Sequence, residues 1–247
     1  MGHVICIANF REQSGKTSTA VNLAASLAVL ELKTLLVDCS PDGKASAGLL
    51  PDSDDTAFGL FDVLSGIVSA RSAVSDTALS YLQILPFGEG ENSLDRMLAM
   101  NPDREKILSI VMEKFRDEYD YIVFDTPSTT GLLSRSAVIA GDSLIIPVPS
   151  GEKGVRGVKE VLAFSGRLRQ SGENPLKLSG VLFNRCDPEG MSQAHDLGGL
   201  EKAVYPVPIP LSQDVDPCRP ACLYDMKSPV VEAFFDLCYE FLYRDSL

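Results

Sequence analysis

Gly15, Lys16 and Thr17 follow an apolar run, Val4 to Ala8, and open a helical pattern from Lys16 to about Leu30. A lysine and a hydroxyl directly after a glycine, at a strand-to-helix junction, form the arrangement that grips phosphates. Backbone N–H groups at the helix start point at an anion, and the helix dipole favours negative charge there. Lys16 is then placed on the β- and γ-phosphates of a nucleotide, and Thr17 on a magnesium ion through its hydroxyl. The strict G-x-x-x-x-G-K-[ST] pattern fails, because Phe10 stands at its first glycine, and Glu12 and Gln13 bring bulk and charge where phosphates should lie. Two further apolar runs, Leu35-Leu36-Val37-Asp38 and Tyr121-Ile122-Val123-Phe124-Asp125, each end in an aspartate. Alone, either acid reads as a turn-capping residue. Beside a phosphate loop, Asp38 and Asp125 read as the carboxylates that hold Mg²⁺ directly or through water.

Such a site needs strands that end together and a helix that starts where they end. Strand-length apolar runs occur at Val4–Ala8, Thr34–Val37, Leu82–Pro86, Tyr121–Phe124, Ser143–Val148, Leu178–Phe183 and Ala203–Val207. Helical patterns lie between them, chiefly Lys16–Leu30, Pro102–Phe115, Lys153–Leu168 and Pro229–Tyr243. The alternation predicts an α/β fold, a mostly parallel β-sheet flanked by helices on both faces. Ligands of such sheets bind outside the carboxyl ends of the strands, where both aspartates and the loop fall.

The 247 residues, 45% of them hydrophobic, are enough for one α/β domain spanning 1–247, and no Pro/Gly/Ser-rich stretch splits the chain. Its start, Met1-Gly2-His3-Val4-Ile5-Cys6, lacks the basic flank and long apolar region of a signal peptide, and no apolar run reaches membrane-spanning length. Six scattered cysteines without a C-x-x-C, and only two histidines, predict reduced buried thiols in a cytoplasmic protein rather than a zinc site. A formal charge of −12 opposes non-specific DNA binding, which phosphate contacts dominate.

Across almost the whole length, and in order, the motifs resemble those of the ParA/Soj/MinD group of deviant-Walker ATPases, with chromosomal ParA (Soj) nearest. Ala8-Asn9, Gly15-Lys16-Thr17 and Thr19-Ala20-Val21-Asn22-Leu23-Ala24 resemble that family's first loop and helix. Val37-Asp38-Cys39-Ser40-Pro41-Asp42-Gly43 resembles its D-x-D-P-Q-G segment, and Tyr119 to Ser128 its Y-D-Y-I-I-I-D-x-P-P. Gly180-Val181-Leu182-Phe183-Asn184-Arg185 resembles the strand that meets adenine. The resemblance implies a P-loop NTPase of the SIMIBI kind. It places ATP on Arg11, Glu12, Gln13, Ser14, Gly15, Lys16, Thr17 and Ser18, with Asn184, Arg185 and Pro210 as further contacts and Mg²⁺ on Thr17, Asp38 and Asp125. Lys16, Asp38, Ser40 and Arg11 fall at the catalytic positions.

The departures are specific. Where the family's loop reads K-G-G-V-G-K-T, this chain reads Arg11 to Thr17, so its cross-dimer lysine is Arg11 and two of its glycines are Glu12 and Gln13. A carboxylate ~6 Å from a phosphate charge costs roughly 3 kcal/mol at an effective dielectric of ~20. The second acid of D-x-D-P-Q-G is Ser40, which cannot accept a proton as a carboxylate does, and its glutamine is Asp42. Lys153, just after the strand Ser143–Val148, is the alternative cation for the phosphates or the dimer partner. The stretch Ile209 to Pro217, where the family carries DNA-binding basic residues, is acidic. Only Arg219 and Lys227 follow nearby, and the helix with Lys153, Arg156, Lys159, Arg167 and Arg169 is the remaining basic patch.

The resemblance therefore implies a cytoplasmic bacterial protein that binds ATP and Mg²⁺ and dimerises with nucleotide. It would position a cellular cargo through a protein partner, with weak hydrolysis of ATP to ADP and phosphate. The alternative is a scaffold that has lost turnover, its loop filled by its own side chains and Glu12 paired with Arg11 or Lys16. An amidoligase-type relative ranks third, since no second substrate site is visible in the sequence.

Overall fold

The computed structural model describes residues 1–50, 58–89, 94–149, 152–170, 176–186, 199–212, 216 and 218–246. Among these, eight strands form one sheet in the order β3-β4-β2-β5-β1-β6-β7-β8. They are β1 (His3–Ile7), β2 (Thr34–Asp38), β3 (Ser75–Asp76), β4 (Leu82–Leu85), β5 (Tyr121–Asp125), β6 (Ser143–Pro149), β7 (Lys177–Cys186) and β8 (Ile209–Pro210). All pairings are parallel except that of the short β3 with β4.

Side chains alternate between two cores, as the pleat of a strand requires. On β1, Val4 and Cys6 enter one core and Ile5 and Ile7 the other; on β2, Leu35 and Val37 part from Leu36 in the same way. The first core is covered by α3 (Leu60–Leu64), α4 (Leu94–Leu98), α5 (Ile107–Met112), α6 (Leu132–Ala140) and α7 (Glu152–Gln170). The second is covered by α1 (Lys16–Val29), α2 (Lys44–Leu49) and α8 (Pro229–Asp245). With both faces covered, the central strands are apolar throughout, which is why they stand out in the sequence.

Two expectations are corrected. Ala203–Val207 is not a strand. A 3₁₀ turn covers Glu201–Ala203, a single bridge joins Val204 to Val181, and the edge strand is Ile209–Pro210. Pro206 and Pro208 have no N–H for a ladder, so pairing stops at the Tyr205 N–H, which donates to the Val181 carbonyl at 2.9 Å, and the Tyr205 side chain is buried against β7. Its ring fills the space a side chain at Gly180 would need, since a Cβ there would lie 2.4 Å from Tyr205 Cε2. The helix expected over Pro102–Phe115 shortens to a 3₁₀ turn, Arg104–Lys106, and α5. Asn101 Oδ1 accepts the Asp103 N–H at 2.9 Å, a local turn that competes with the first helical turn.

The register sets the site. Asp38 and Asp125 are direct neighbours on β2 and β5, and Ile7 is the neighbour of Asp125 on β1. Thr126 Oγ1 donates to the Ile7 carbonyl at 2.8 Å and fastens the two strand ends beneath the loop Ala8–Gly15.

Candidate functional site

The loop between β1 and α1 is held from below by Asn9, which is fully buried. Its Nδ2 donates to the Pro147 carbonyl at 2.8 Å, and its Oδ1 accepts the Arg11 N–H at 3.0 Å. At the far end Gly15 has φ 88°, and a Cβ there would lie 2.2 Å from Asn184 Nδ2. Glycine is therefore required both by the left-handed backbone and by the contact with β7. The Asn184 amide donates to Thr19 Oγ1 at 3.2 Å and to the Gly15 carbonyl at 3.4 Å, tying β7 to the loop.

Gln13 also has positive φ, 56°. A left-handed non-glycine residue costs about 1–2 kcal/mol, against which glycine adds about 0.4–1 kcal/mol of unfolded-state entropy. Gln13→Gly is accordingly expected to raise stability by about 0.5–1 kcal/mol, read as a higher urea midpoint. Glu12→Gly, at a residue without positive φ, should lower it. Equal losses in both variants would contradict the strain at Gln13.

Lys16 is almost fully buried at 7% exposure. Its Nζ donates to Ser128 Oγ at 2.7 Å and to the Arg11 carbonyl at 3.1 Å, with Ser14 Oγ at 3.5 Å. Burial pulls its pKa below the usual lysine range, and the charge of Asp125 opposes that shift. Under it lie the two strand-end carboxylates, which differ in their surroundings. Asp38 is satisfied: Oδ2 accepts Ser46 N–H at 2.9 Å and Ser46 Oγ at 2.7 Å, and Oδ1 accepts the Ser40 N–H at 3.0 Å. Burial raises its pKa, and these hydrogen bonds work against the rise. Asp125 is fully buried, and neither of its oxygens has a hydrogen-bond partner of good geometry. The Thr17 side chain lies near enough to lower its pKa without closing such a bond. Burial first, and the Asp38 charge second, push Asp125 up to about 8.

A buried carboxylate without donors is a site built for a cation. Among the described residues no three His, Cys, Asp or Glu side chains gather to hold a metal by themselves. Thr17, Asp38 and Asp125 form a hard oxygen set of the kind that holds Mg²⁺ together with substrate phosphates. The residues present therefore fit a nucleotide-bound magnesium.

Above the carboxylates opens a cleft of ≈ 1120 Å³, lined by Glu12 to Ser18 on one side. Ser40, Asn184, Arg185 and Pro210 line it too, so most residues expected at the nucleotide converge here. Glu12 and Gln13 are exposed at its rim. Arg11 departs: its guanidinium bonds Glu160 on α7 at 2.9 Å. The Glu12 pairing expected for a self-filled loop is replaced by this ion pair, and Lys16 is spent on Ser128 and the Arg11 carbonyl. The Lys153 side chain lies outside the described residues.

Several contributors escape a sequence reading. Ser46 and Ser128 are recognisable only from the partners the fold brings to them. Lys44 lines the cleft but follows Gly43, where the D-x-D-P-Q-G pattern stops. Of the basic residues considered for DNA, Arg219 meets Asp216 at 3.6 Å and Tyr224 Oη at 3.0 Å, and Arg156 meets Glu160 at 3.2 Å.

A family model described as "AAA domain" matches residues 2–178. The chromosome partitioning protein ParA of Myxococcus xanthus is 34% identical over 256 residues, covering 100% of this chain and 90% of the relative. The sporulation initiation inhibitor protein Soj of Bacillus subtilis is 29% identical over 248 residues, covering 97% and 98%. Cobyrinic acid a,c-diamide synthase of Mycobacterium smegmatis, solved with an ATP analogue and magnesium, has a TM-score of 0.85 at 25% identity, covering 98% of this chain and 94% of that one. The ATP complex of McdA from Cyanothece, with a TM-score of 0.86 at 22% identity over 98% and 96% of the two chains, shares the fold.

Proposed function

The chain belongs to the ParA/Soj/MinD family of partition and positioning ATPases, and from that premise we propose that it is a nucleotide switch. It binds ATP with Mg²⁺ at the cleft, dimerises in response, and positions a cellular cargo through a protein partner. The observation that carries the reading is the unpartnered Asp125 beneath the buried Lys16. One group lacks the positive charge that a magnesium ion brings; the other is held on a backbone carbonyl and a serine hydroxyl that a phosphate can replace.

The loop N–H groups from Ser14 to Ser18 and the Lys16 amine would hold the phosphates. Thr17, Asp125 and, from behind, Asp38 would hold Mg²⁺, which when bound supplies charge neutralisation at the phosphates. Asn184, Arg185 and Pro210 line the side of the cleft where the base belongs. Turnover is slow in this proposal: Ser40 offers no carboxylate, and Asp38 is fully engaged by Ser46 and Ser40. Face-to-face dimerisation is supported by apolar side chains that stay exposed in the single chain. Leu211 on the cleft wall is 55% exposed, and Tyr224 and Met226 are 63% and 60% exposed. Among the described residues no helix is long and apolar enough to cross a membrane. The ion pairs of Arg156 and Arg219 support leaving non-specific DNA binding out of the proposal.

Two measurements test this. Isothermal titration should show saturable ATP·Mg²⁺ binding at micromolar to sub-millimolar concentration, and light scattering should show the mass doubling with ATP but not with AMP. Absence of binding at millimolar nucleotide ends the switch reading in favour of the scaffold.

A further inference from the structure

We propose that Lys44, rather than Arg11, is the second cation that holds the triphosphate; this rests on the ATP-binding reading above. The family resemblance puts Arg11 in that role, but the fold commits it elsewhere. Its guanidinium is 2.9 Å from Glu160, and its stem lies over α7, where a Cβ on Gly157 would be 3.5 Å from Arg11 Cδ. To reach the cleft, Arg11 must give up an ion pair with a Glu160 oxygen that Arg156 also bonds, at 3.2 Å.

Lys44 has no such commitment. It is the first residue of α2, directly after the left-handed turn at Gly43 (φ 59°), and it lines the same cleft as Lys16. Its ion pair with Asp42, at 3.2 Å, joins side chains that are 59% and 67% exposed. Pairs of that exposure are weak and exchange readily with a stronger anion. The Lys44 charge already acts on the site: it helps depress the Lys16 pKa, it lowers that of Asp125, and the charge of Glu12 acts back on it. Lys44 therefore sits within the field of the carboxylate that would otherwise repel a phosphate at the rim. Glu12 and Lys44 bring opposite charges to the lining of the same cleft, so a loop carrying an acid in place of glycine can still accept a polyanion. A lysine ammonium suits the task as a point charge that needs no fixed fork geometry.

The test compares wild type, Lys44→Ala, Lys44→Arg and Arg11→Ala by titration with ATP·Mg²⁺, with adenosine and with inorganic triphosphate. Lys33→Ala, at the opposite end of β2, controls for loss of net charge. Lys44→Ala should weaken ATP and triphosphate by about tenfold, the loss of one charge-assisted contact. It should leave adenosine unchanged and flatten the dependence of affinity on salt. Lys44→Arg should recover most of the loss, and Arg11→Ala should cost less than about threefold. Lys44→Ala equal to wild type, an equal loss for adenosine, or a larger loss in Arg11→Ala each overturn the assignment. If wild type binds triphosphate but not ATP, the nucleotide reading falls and the Lys44 result on triphosphate still decides this one. If it binds neither, both are overturned.

Discussion

Replacing Lys16 with alanine is expected to weaken ATP·Mg²⁺ binding by about ten- to a hundredfold while moving the melting temperature of the ligand-free protein little. The asymmetry follows from where the amine sits. In the ligand-free chain Lys16 is buried, at a desolvation cost that already depresses its pKa. It recovers part of that cost from the Ser128 hydroxyl and the Arg11 carbonyl. Removing it relieves the cost and loses the bonds together, and Ser128 lines the open cleft, so the stability terms offset. With a triphosphate in the cleft, a charge-assisted contact disappears while the Glu12 carboxylate remains at the rim. A hydrogen bond to a charged group contributes about 1.5–3 kcal/mol, which is a factor of about ten to a hundred in affinity. Calorimetric titration and a thermal melt on the same sample separate the two effects. A melt that collapses along with binding would make Lys16 a structural residue, and retained affinity would remove it from the phosphate site.

What was legible in the sequence is what short-range chemistry dictates. β1, β2, β5 and β6 are buried on both faces, so they read as unbroken apolar runs ending where the site begins. Gly15-Lys16-Thr17 and the aspartates at two of those ends could be placed because their roles follow from position within one element. Tertiary geometry was not legible. Ala203–Val207 reads as a strand because it is an apolar run, whereas the burial of Tyr205 depends on the missing side chain at Gly180. Nine-residue α6 escaped because Ser134 and Ser136 are buried among its apolar residues and blur the helical period. Arg11 was read by its place in a motif, whereas its partner Glu160 lies 149 residues away. Lys44 stood beside the motif, and only the fold turns it toward the loop.

Asp125→Asn should raise the stability of the ligand-free protein at pH 8, remove most of its pH dependence between about pH 6 and 8, and abolish stabilisation by Mg²⁺-nucleotide. The sign follows from the direction of the shift. An unfolded aspartate titrates near ~3.9, and in the fold Asp125 is pushed up to about 8 by burial and by Asp38. Below about pH 4 both states carry the proton and the carboxyl costs nothing. Between about pH 4 and 8 the unfolded chain releases the proton while the fold keeps it, so stability falls as pH rises, by up to ~1.4 kcal/mol per unit. Above pH 8 the fold ionises too and the decline levels off. Asp38 and Asp125 are adjacent across β2 and β5, so the titration belongs to the pair. From pH 6 to 7.5 the wild type should lose about 2 kcal/mol, some 4–8 °C in melting temperature for a chain of this size. Asparagine has no charge to desolvate, so the variant's melt should stay nearly flat and cross above the wild type as pH rises. Near pH 5, where the fold keeps the Asp125 carboxyl protonated, the two melts should lie close together. Saturating Mg²⁺-ADP should flatten the wild-type curve in the same way, since a cation then supplies the charge that a proton otherwise supplies. A variant with the wild-type slope, or a wild-type melt constant from pH 6 to 8, would mean that the carboxylate is solvated or paired after all. The cation site beneath Lys16 would then lose its physical basis.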